Sequence, residues 1–182
     1  MKWTSSVAAR GRHFACLVVA FFLAAPANAE TANRLLGIPF GDKLQLSRCG
    51  ANTRNAKKPC WIDKPFFHKA AGTTSGYVFF PDSDARPKWA ARAMFSLVLD
   101  KVGIVQEIKV NTYAPAERFE IAQSISRRFG KPITDRLSSA DSMAAYWRTN
   151  EGTAQIRCHN ECWVEFRTLE AQAARDARVG MQ

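Results

Sequence analysis

Apolar and polar residues alternate with a period of two along several short segments, which is the pattern of half-buried β-strands. The clearest segment is 104–112, where one face is apolar and the other polar. The apolar face carries Ile104, Ile108 and Val110, and the polar face carries Glu107, Lys109 and Asn111. We predict further strands at Tyr77–Phe80, Met94–Leu99, Ala144–Thr149, Thr153–Cys158 and Glu161–Thr168. Between the strands at 94–99 and 104–112, Asp100-Lys101-Val102-Gly103 predicts a hairpin turn in which Gly103 adopts a positive φ.

The period changes after Pro115, which is suited to the first turn of a helix. Apolar residues then recur at helical spacing and predict one buried stripe. The stripe consists of Phe119, Ala122, Ile125 and Phe129, widened by Ile121. Gly130 suits the position just past the helix, and Pro132 prevents the helix from continuing.

The order of these elements predicts an α+β fold, an antiparallel sheet with a helix packed on one face. We expect one domain over 30–168, followed at 169–182 by a terminal helix or flexible tail. The segments around Phe40-Gly41 and Phe129-Gly130 are weakly alike, and strands follow each of them. This echo favours two similar half-units.

The N-terminal residues 1–29 predict a cleaved signal peptide. Lys2, Arg10 and Arg12 form a basic region, Phe14–Ala25 is an apolar run of 12 residues, and Ala27-Asn28-Ala29 matches a signal peptidase site. The apolar run is shorter than the roughly 20 residues that span a bilayer. We therefore expect a periplasmic or secreted protein that begins at Glu30 and has no transmembrane segment after cleavage.

The charge balance points to anionic partners. Three of the 26 Lys and Arg residues lie in residues 1–29, which contain no Asp or Glu, so the mature chain has 23 basic and 16 acidic residues and a net charge of +7. Such a chain is attracted to anionic surfaces. Outside the cytoplasm these are acidic proteins or anionic wall and membrane components, and nucleic acid is not expected there. The alternative is that the charge serves solubility alone.

Four cysteines remain after cleavage, and an oxidising compartment favours disulfides. Cys158 and Cys162 lie on the apolar faces of two predicted strands joined by a three-residue loop. Such a loop places the two residues opposite each other at a Cα separation within disulfide range. Of the three possible pairings, we therefore predict the local one, Cys158–Cys162 and Cys49–Cys60.

No catalytic, metal or cofactor motif stands out. His159 lies between Cys158 and Cys162, but the C-x3-C spacing is not that of a zinc knuckle, and a second ligand pair is missing. Neither cysteine pair has the C-x-x-C spacing of a redox site. Ser75 has no G-x-S-x-G frame. The sequence thus favours a protein without enzymatic activity, metal or cofactor.

The loop closed by Cys49 and Cys60 carries the most suggestive surface. Arg54, Lys57 and Lys58 lie within it, Trp61 directly follows it, and Phe66-Phe67 come soon after. Cations beside aromatic rings suit an acidic partner, so we take Arg54, Lys57, Lys58 and Trp61 as candidate partner-binding residues. The alternative is a solvated loop whose aromatic side chains belong to the core.

The segment LVLDKVGIVQEI, followed by a helix ending in FGKP and a strand containing Trp147, resembles the layout of small bacterial envelope proteins. Two groups share it, the SmpA/OmlA outer-membrane lipoprotein domain and the tandem-repeat β-lactamase-inhibitor-like fold. The resemblance covers residues 94–168 and implies a helical layer on an antiparallel sheet and a protein-binding role. The chain departs from the lipoprotein group because it has no lipobox cysteine.

These observations predict an exported, soluble, non-enzymatic protein that binds another envelope or secreted protein as an inhibitor, adaptor or assembly factor. The alternative is a small hydrolase or ligand-binding protein directed at the cell wall. An exposed apolar patch without a deep pocket favours the first, whereas a cleft with two carboxylates, or with a His beside a Ser, favours the second.

Overall fold

A computed structural model describes residues 34–53, 56–81, 86–113, 115–139 and 142–180. The predicted signal peptide, residues 1–29, lies outside them. The described strands are β1 (Arg34–Leu35), β2 (Ile38–Pro39), β3 (Ser47–Arg48), β4 (Cys60–Trp61), β5 (Phe66–His68), β6 (Thr73–Phe79), β7 (Met94–Leu99), β8 (Val105–Thr112), β9 (Thr134–Ser139), β10 (Ser142–Arg148), β11 (Thr153–Cys158) and β12 (Cys162–Arg167). The described α-helices are α1 (Arg118–Phe129) and α2 (Leu169–Val179).

The chain is an α+β fold in which most strands form one large sheet. The strand order is β3-β4-β6-β7-β8-β12-β11-β10-β9, and β5 pairs with β6 beside β4. All of these pairs are antiparallel except β3–β4, so the sheet is partly mixed rather than purely antiparallel as predicted. A parallel pair needs a longer connection than a hairpin, and the loop between Cys49 and Cys60 provides it. β1 and β2 form a separate antiparallel pair.

The hairpins follow the predicted alternation closely. β7, β11 and the turn at Asp100–Gly103 lie where the pattern placed them. Oδ1 of Asp100 accepts hydrogen bonds of 2.9 Å from the backbone N–H groups of Val102 and Ile104, and Gly103 adopts a φ of 88°. The alternating face of β8 is buried at Ile108 and Val110. β9 was not predicted, because TDRLSS carries no apolar alternation.

Helix α1 packs on the apolar face of the sheet, as the 3.6-residue period predicts. Ile121, Ile125 and Phe129 are buried, and the ring of Phe129 stacks on Phe166 of β12 at a centroid distance of 5.9 Å. Phe119, in contrast, was predicted to lie in the stripe but is exposed. With 3.6 residues per turn, Phe119 points to a different side of α1 from the buried Ile121 and Ile125, so it lies outside the stripe that faces the sheet. Gly130 ends the helix with a φ of 75°.

Helix α2 lies over the opposite, polar face of the sheet, which the sequence did not predict. None of its residues is buried. Its N-cap is Thr168, whose Oγ1 accepts a hydrogen bond from the N–H of Ala171 and donates one to Oε1 of Gln106. The side chain of Thr153 on β11 donates to Gln172 at 3.3 Å. Polar contacts, rather than an apolar stripe, therefore hold this helix.

Candidate functional site

The polar face of the sheet is built by strand register. β6, β7, β8 and β12 are adjacent, so residues paired across them form rows on one face. One row runs Tyr77–Ser96–Lys109–Glu165, and the next runs Ser75–Val98–Glu107–Arg167. The opposite face of the same strands carries the apolar core.

Arg167 lies on the face of β12 opposite the apolar residues Val164 and Phe166, yet it is buried beneath α2. Its Nε lies 2.7 Å from Oε1 of Glu107, and its guanidinium also pairs with Glu165. Arg175 of α2 lies 3.4 Å from the same carboxylate of Glu165. The ionic cluster therefore ties β8, β12 and α2 together. The sequence could not show this, because the period of two distinguishes the faces of a strand but not what covers them.

The pKa of Glu165 reflects this cluster. Burial raises the pKa, but the positive charge and hydrogen bond of Arg167, followed by the charges of Lys109 and Arg175, outweigh the burial and leave the pKa below its ordinary value. Glu165 is therefore held as a carboxylate. Because Glu107 also pairs with Arg167, the two carboxylates in this part of the face act as counterions to the arginine, not as an acid–base pair.

A trough runs along the polar face between α2 and the edge of the sheet at β5. It consists of two adjoining cavities of about 580 and 440 Å³ that share lining residues. The shared residues are Ala71, Thr73, Val98, Glu107, Lys109 and Arg178. Its depth comes from small side chains, Ser75, Ser96 and Val98, on two central strands. The larger side chains of His68, Tyr77, Lys109 and Arg178 line its sides.

At the β5 end of the trough a histidine lies beside a serine. Nε2 of His68 and Oγ of Ser75 are 2.8 Å apart, within hydrogen-bond distance. The imidazole also contacts the ring of Phe66 edge-on, at a centroid distance of 4.6 Å. No carboxylate among the described residues hydrogen-bonds to this imidazole. Ser75 pairs with Phe66 on one side and with Val98 on the other, so the surrounding backbone belongs to the sheet ladder.

β5 itself is a short edge strand with unusual side chains. Phe66 and Phe67 are 65% and 58% exposed. Lys64 and Lys69, which flank the strand, are also exposed. Exposed aromatic residues on an unpaired edge promote association, and natural proteins normally avoid them. In the sequence, Phe66 and Phe67 stand out only as neighbours of the basic loop, and the available signal is two adjacent phenylalanines between lysines in the segment K-P-F-F-H-K.

The predicted partner-binding residues do not form one surface in the described part of the chain. Lys57 and Lys58 are exposed and precede β4. Arg54 lies outside the described residues. Trp61 is buried, because its indole ring packs against Gly76 of β6, where an added Cβ would lie 3.1 Å from the ring. Its ring is therefore part of the core, as in the alternative stated for the aromatic side chains near this loop.

The cysteines lie in two pairs, 49–60 and 158–162, with S–S distances of 2.05 and 2.07 Å. This is the local pairing predicted from the hairpin, and Cys158 lies directly opposite Cys162 in the β11–β12 register. The two cysteines that flank His159 in the sequence are therefore joined in a disulfide and are not free thiols that could bind a metal. Within the described residues, no three His, Cys, Asp or Glu side chains are grouped so that they could hold a metal ion.

Comparison of the chain with protein families, with curated proteins and with solved structures finds no match. The similarity to small envelope proteins therefore rests on the order of elements alone. No helix in the described part of the chain is both long and apolar enough to cross a membrane.

Proposed function

We propose that this chain is an exported, non-enzymatic binding protein, periplasmic or secreted, that acts on another envelope or secreted protein. The observation that carries the proposal is the exposed Phe66-Phe67 pair on edge strand β5. Aromatic anchors dominate the binding energy of many protein interfaces. A partner that covers these residues would also protect the exposed edge strand from non-specific association. The two disulfides and the predicted signal peptide support export.

The charge around β5 indicates the chemistry of the partner. Lys64 and Lys69 flank the aromatic pair, and the exposed Lys57 and Lys58 precede β4, which pairs with the same strand, β6, as β5 does. We therefore propose a partner that presents an acidic segment around an apolar contact. Opposite charges at the rim of an interface steer association, whereas the buried aromatic residues supply most of the affinity.

The test is capture of partners from envelope extract by the mature protein, starting at Glu30. Phe66→Ser/Phe67→Ser should abolish capture of a specific protein, and binding of that purified protein should be lost in the same variant. The matched control is Phe119→Ser, which replaces a phenylalanine of similar exposure on α1. A second arm, Arg54→Ala/Lys57→Ala/Lys58→Ala, tests the basic loop. Equal capture by the Phe66/Phe67 variant would contradict the proposal.

A wall-directed hydrolase is the second candidate, and the His68–Ser75 contact of 2.8 Å favours it. Nucleophilic catalysis also needs an oriented base and donors for the oxyanion. Among the described residues no carboxylate orients His68, and the backbone around Ser75 is engaged in the sheet. Release of muropeptides from purified peptidoglycan by the wild type, and its loss in Ser75→Ala, would favour the hydrolase over the binding protein.

Two similar half-units remain part of the proposal. The strand order supports them, since β4-β6-β7-β8 and β12-β11-β10-β9 are two four-stranded runs whose last strands in the chain, β8 and β12, pair with each other. That arrangement is expected of a pseudo-two-fold sheet.

A further inference from the structure

We propose that the trough on the polar face is a second binding site, distinct from the exposed Phe66-Phe67 pair of β5, and that it takes an acidic saccharide, a sugar chain whose rings carry carboxylate or phosphate groups. Four features of the trough lead to this assignment. They are its cations, its hydroxyl floor, its aromatic side and the lack of free backbone groups.

The first feature is a pair of cationic side chains that line the trough. Arg178 of α2 makes no ion pair within the described part of the chain, and Lys109 lies 3.7 Å from Glu107, a carboxylate that Arg167 already contacts at 2.7 Å. Both side chains line the two adjoining cavities. The trough therefore offers the guanidinium group of Arg178, which the described residues leave without an ion pair, and the ammonium group of Lys109, which lies beside Glu107 and Glu165. A carboxylate or phosphate is the natural ligand of that pair.

The floor provides hydroxyl groups beside the apolar side chain of Val98. Thr73, Ser75 and Ser96 line the β5 side of the trough. A hydroxyl group both donates and accepts a hydrogen bond, so it suits the hydroxyl groups of a sugar. Ser96 lies directly between Tyr77 and Lys109 in the strand register. A sugar ring above Ser96 would thus have an aromatic ring on one side and a cation on the other.

The aromatic side is Tyr77, whose side chain is half exposed at the border of the trough. A tyrosine ring has an apolar face and a polar tip, and it can contact the C–H groups of a sugar ring while its hydroxyl group remains hydrated. Because Tyr77 lies directly beside Ser96 in the register, its ring is placed to stack on a saccharide bound above Ser96.

The backbone of the strands that form the trough floor does not suit an extended peptide as the ligand. The floor strands β6, β7 and β8 pair with neighbours on both edges, so their N–H and C=O groups are used in the sheet. An extended peptide gains its affinity largely from such groups at a free edge, together with apolar side-chain pockets. The trough has neither, since its apolar lining on the β5 side consists mainly of Ala71, Gly76 and Val98.

The experiment is titration of the mature protein with tetragalacturonate, followed by calorimetry and by NMR shift mapping. Fully methyl-esterified tetragalacturonate is the matched neutral probe, and tetraglutamate is the matched acidic peptide. We expect saturable binding of tetragalacturonate that weakens with salt, shifts at Ser75 and Ser96, and binding at least about tenfold weaker for both controls.

Variants locate the site. Lys109→Gln/Arg178→Gln and, separately, Tyr77→Ala should each weaken binding by about tenfold or more. Lys101→Gln and Tyr113→Ala, which remove an exposed lysine and an exposed tyrosine outside the trough, should leave it unchanged. Shift mapping on the wild type tests the site even where a variant fails to fold.

Three results would overturn the proposal: no saturable binding of tetragalacturonate, equal binding of the methyl ester or tetraglutamate, or shifts confined to residues outside the trough. Because Phe67 faces the other side of β5, Phe67→Ser should keep saccharide binding even if it loses the protein partner. Failure of one proposal is thus distinguishable from failure of the other.

Discussion

Arg167 and Glu107 lie opposite each other across the seam between β8 and β12, and Nε of the arginine is 2.7 Å from Oε1 of the glutamate. The seam joins strands that are far apart in the sequence. A buried arginine beneath α2, with carboxylates on two strands, makes the pairing of these strands depend on electrostatics as well as on the apolar core beneath them.

Replacement of the arginine should therefore be costly. Arg167→Ala leaves Glu107 and Glu165 without their principal counterion and should lower the free energy of unfolding by about 3 kcal/mol, which urea denaturation would measure. The matched control is Arg175→Ala, which removes a more exposed partner of Glu165 and should cost less than about 1 kcal/mol. Equal effects for the two variants would show that burial of Arg167 does not matter.

Glu165 should make stability depend on pH. Its pKa is lower in the folded protein than its ordinary value of 4.5, so its stabilising effect is fully present above that value. The effect should disappear as the pH falls through the lower, folded-state pKa. The difference in unfolding free energy between wild type and Glu165→Gln should thus be largest near neutral pH and shrink below about pH 4.5. A difference that stays constant across the titration would contradict this account.

Gly152 occupies the turn between β10 and β11 in a backbone conformation that favours glycine. Its φ is 151°, and an added Cβ would lie 2.3 Å from the carbonyl oxygen of Arg167. Gly152→Ala should therefore lower the midpoint of thermal unfolding and cost about 2 kcal/mol or more. In Gly50→Ala, the control, no atom lies within 4 Å of the new Cβ, and the change should be within about 0.5 kcal/mol.

The two disulfides should contribute unequally. Loop entropy predicts about 3 kcal/mol for the 49–60 pair, which closes the longer loop, and about 2 kcal/mol for the 158–162 pair. Unfolding of Cys49→Ala/Cys60→Ala and of Cys158→Ala/Cys162→Ala under oxidising conditions would measure both contributions. If dithiothreitol leaves the stability of the wild type unchanged, neither disulfide stabilises the fold.

Export should be visible in the mass of the protein. Expression of the full chain in a Gram-negative host should yield a periplasmic species whose first residue is Glu30, as intact-mass spectrometry would show. Ala27→Leu/Ala29→Leu places large residues where signal peptidase requires small ones and should block processing. Cleavage elsewhere, or retention of the uncleaved wild type in the cytoplasm, would contradict the predicted signal peptide.

The sequence by itself determined the local elements. The alternation in β8, β11 and β12 and the turn at Asp100–Gly103 predicted the hairpins, because adjacent strands need only a short turn and a matching apolar face. The same logic predicted that Cys158 would lie opposite Cys162. The stripe ending at Phe129 and the glycine after it predicted α1, since helix periodicity and capping are properties of neighbouring residues.

The tertiary structure alone decided what covers each face. Phe119 was predicted in the buried stripe of α1 but points away from the sheet, and Arg167 carries the polar period yet is buried, because α2 returns across β8 and β12. β9 has no apolar pattern, and it forms because β10 provides a strand to pair with. The trough likewise depends on register between β6, β7 and β8, which brings Tyr77, Ser96 and Lys109 side by side from three separate segments of the chain. Such contacts come from long-range packing, and no local pattern of residues encodes them.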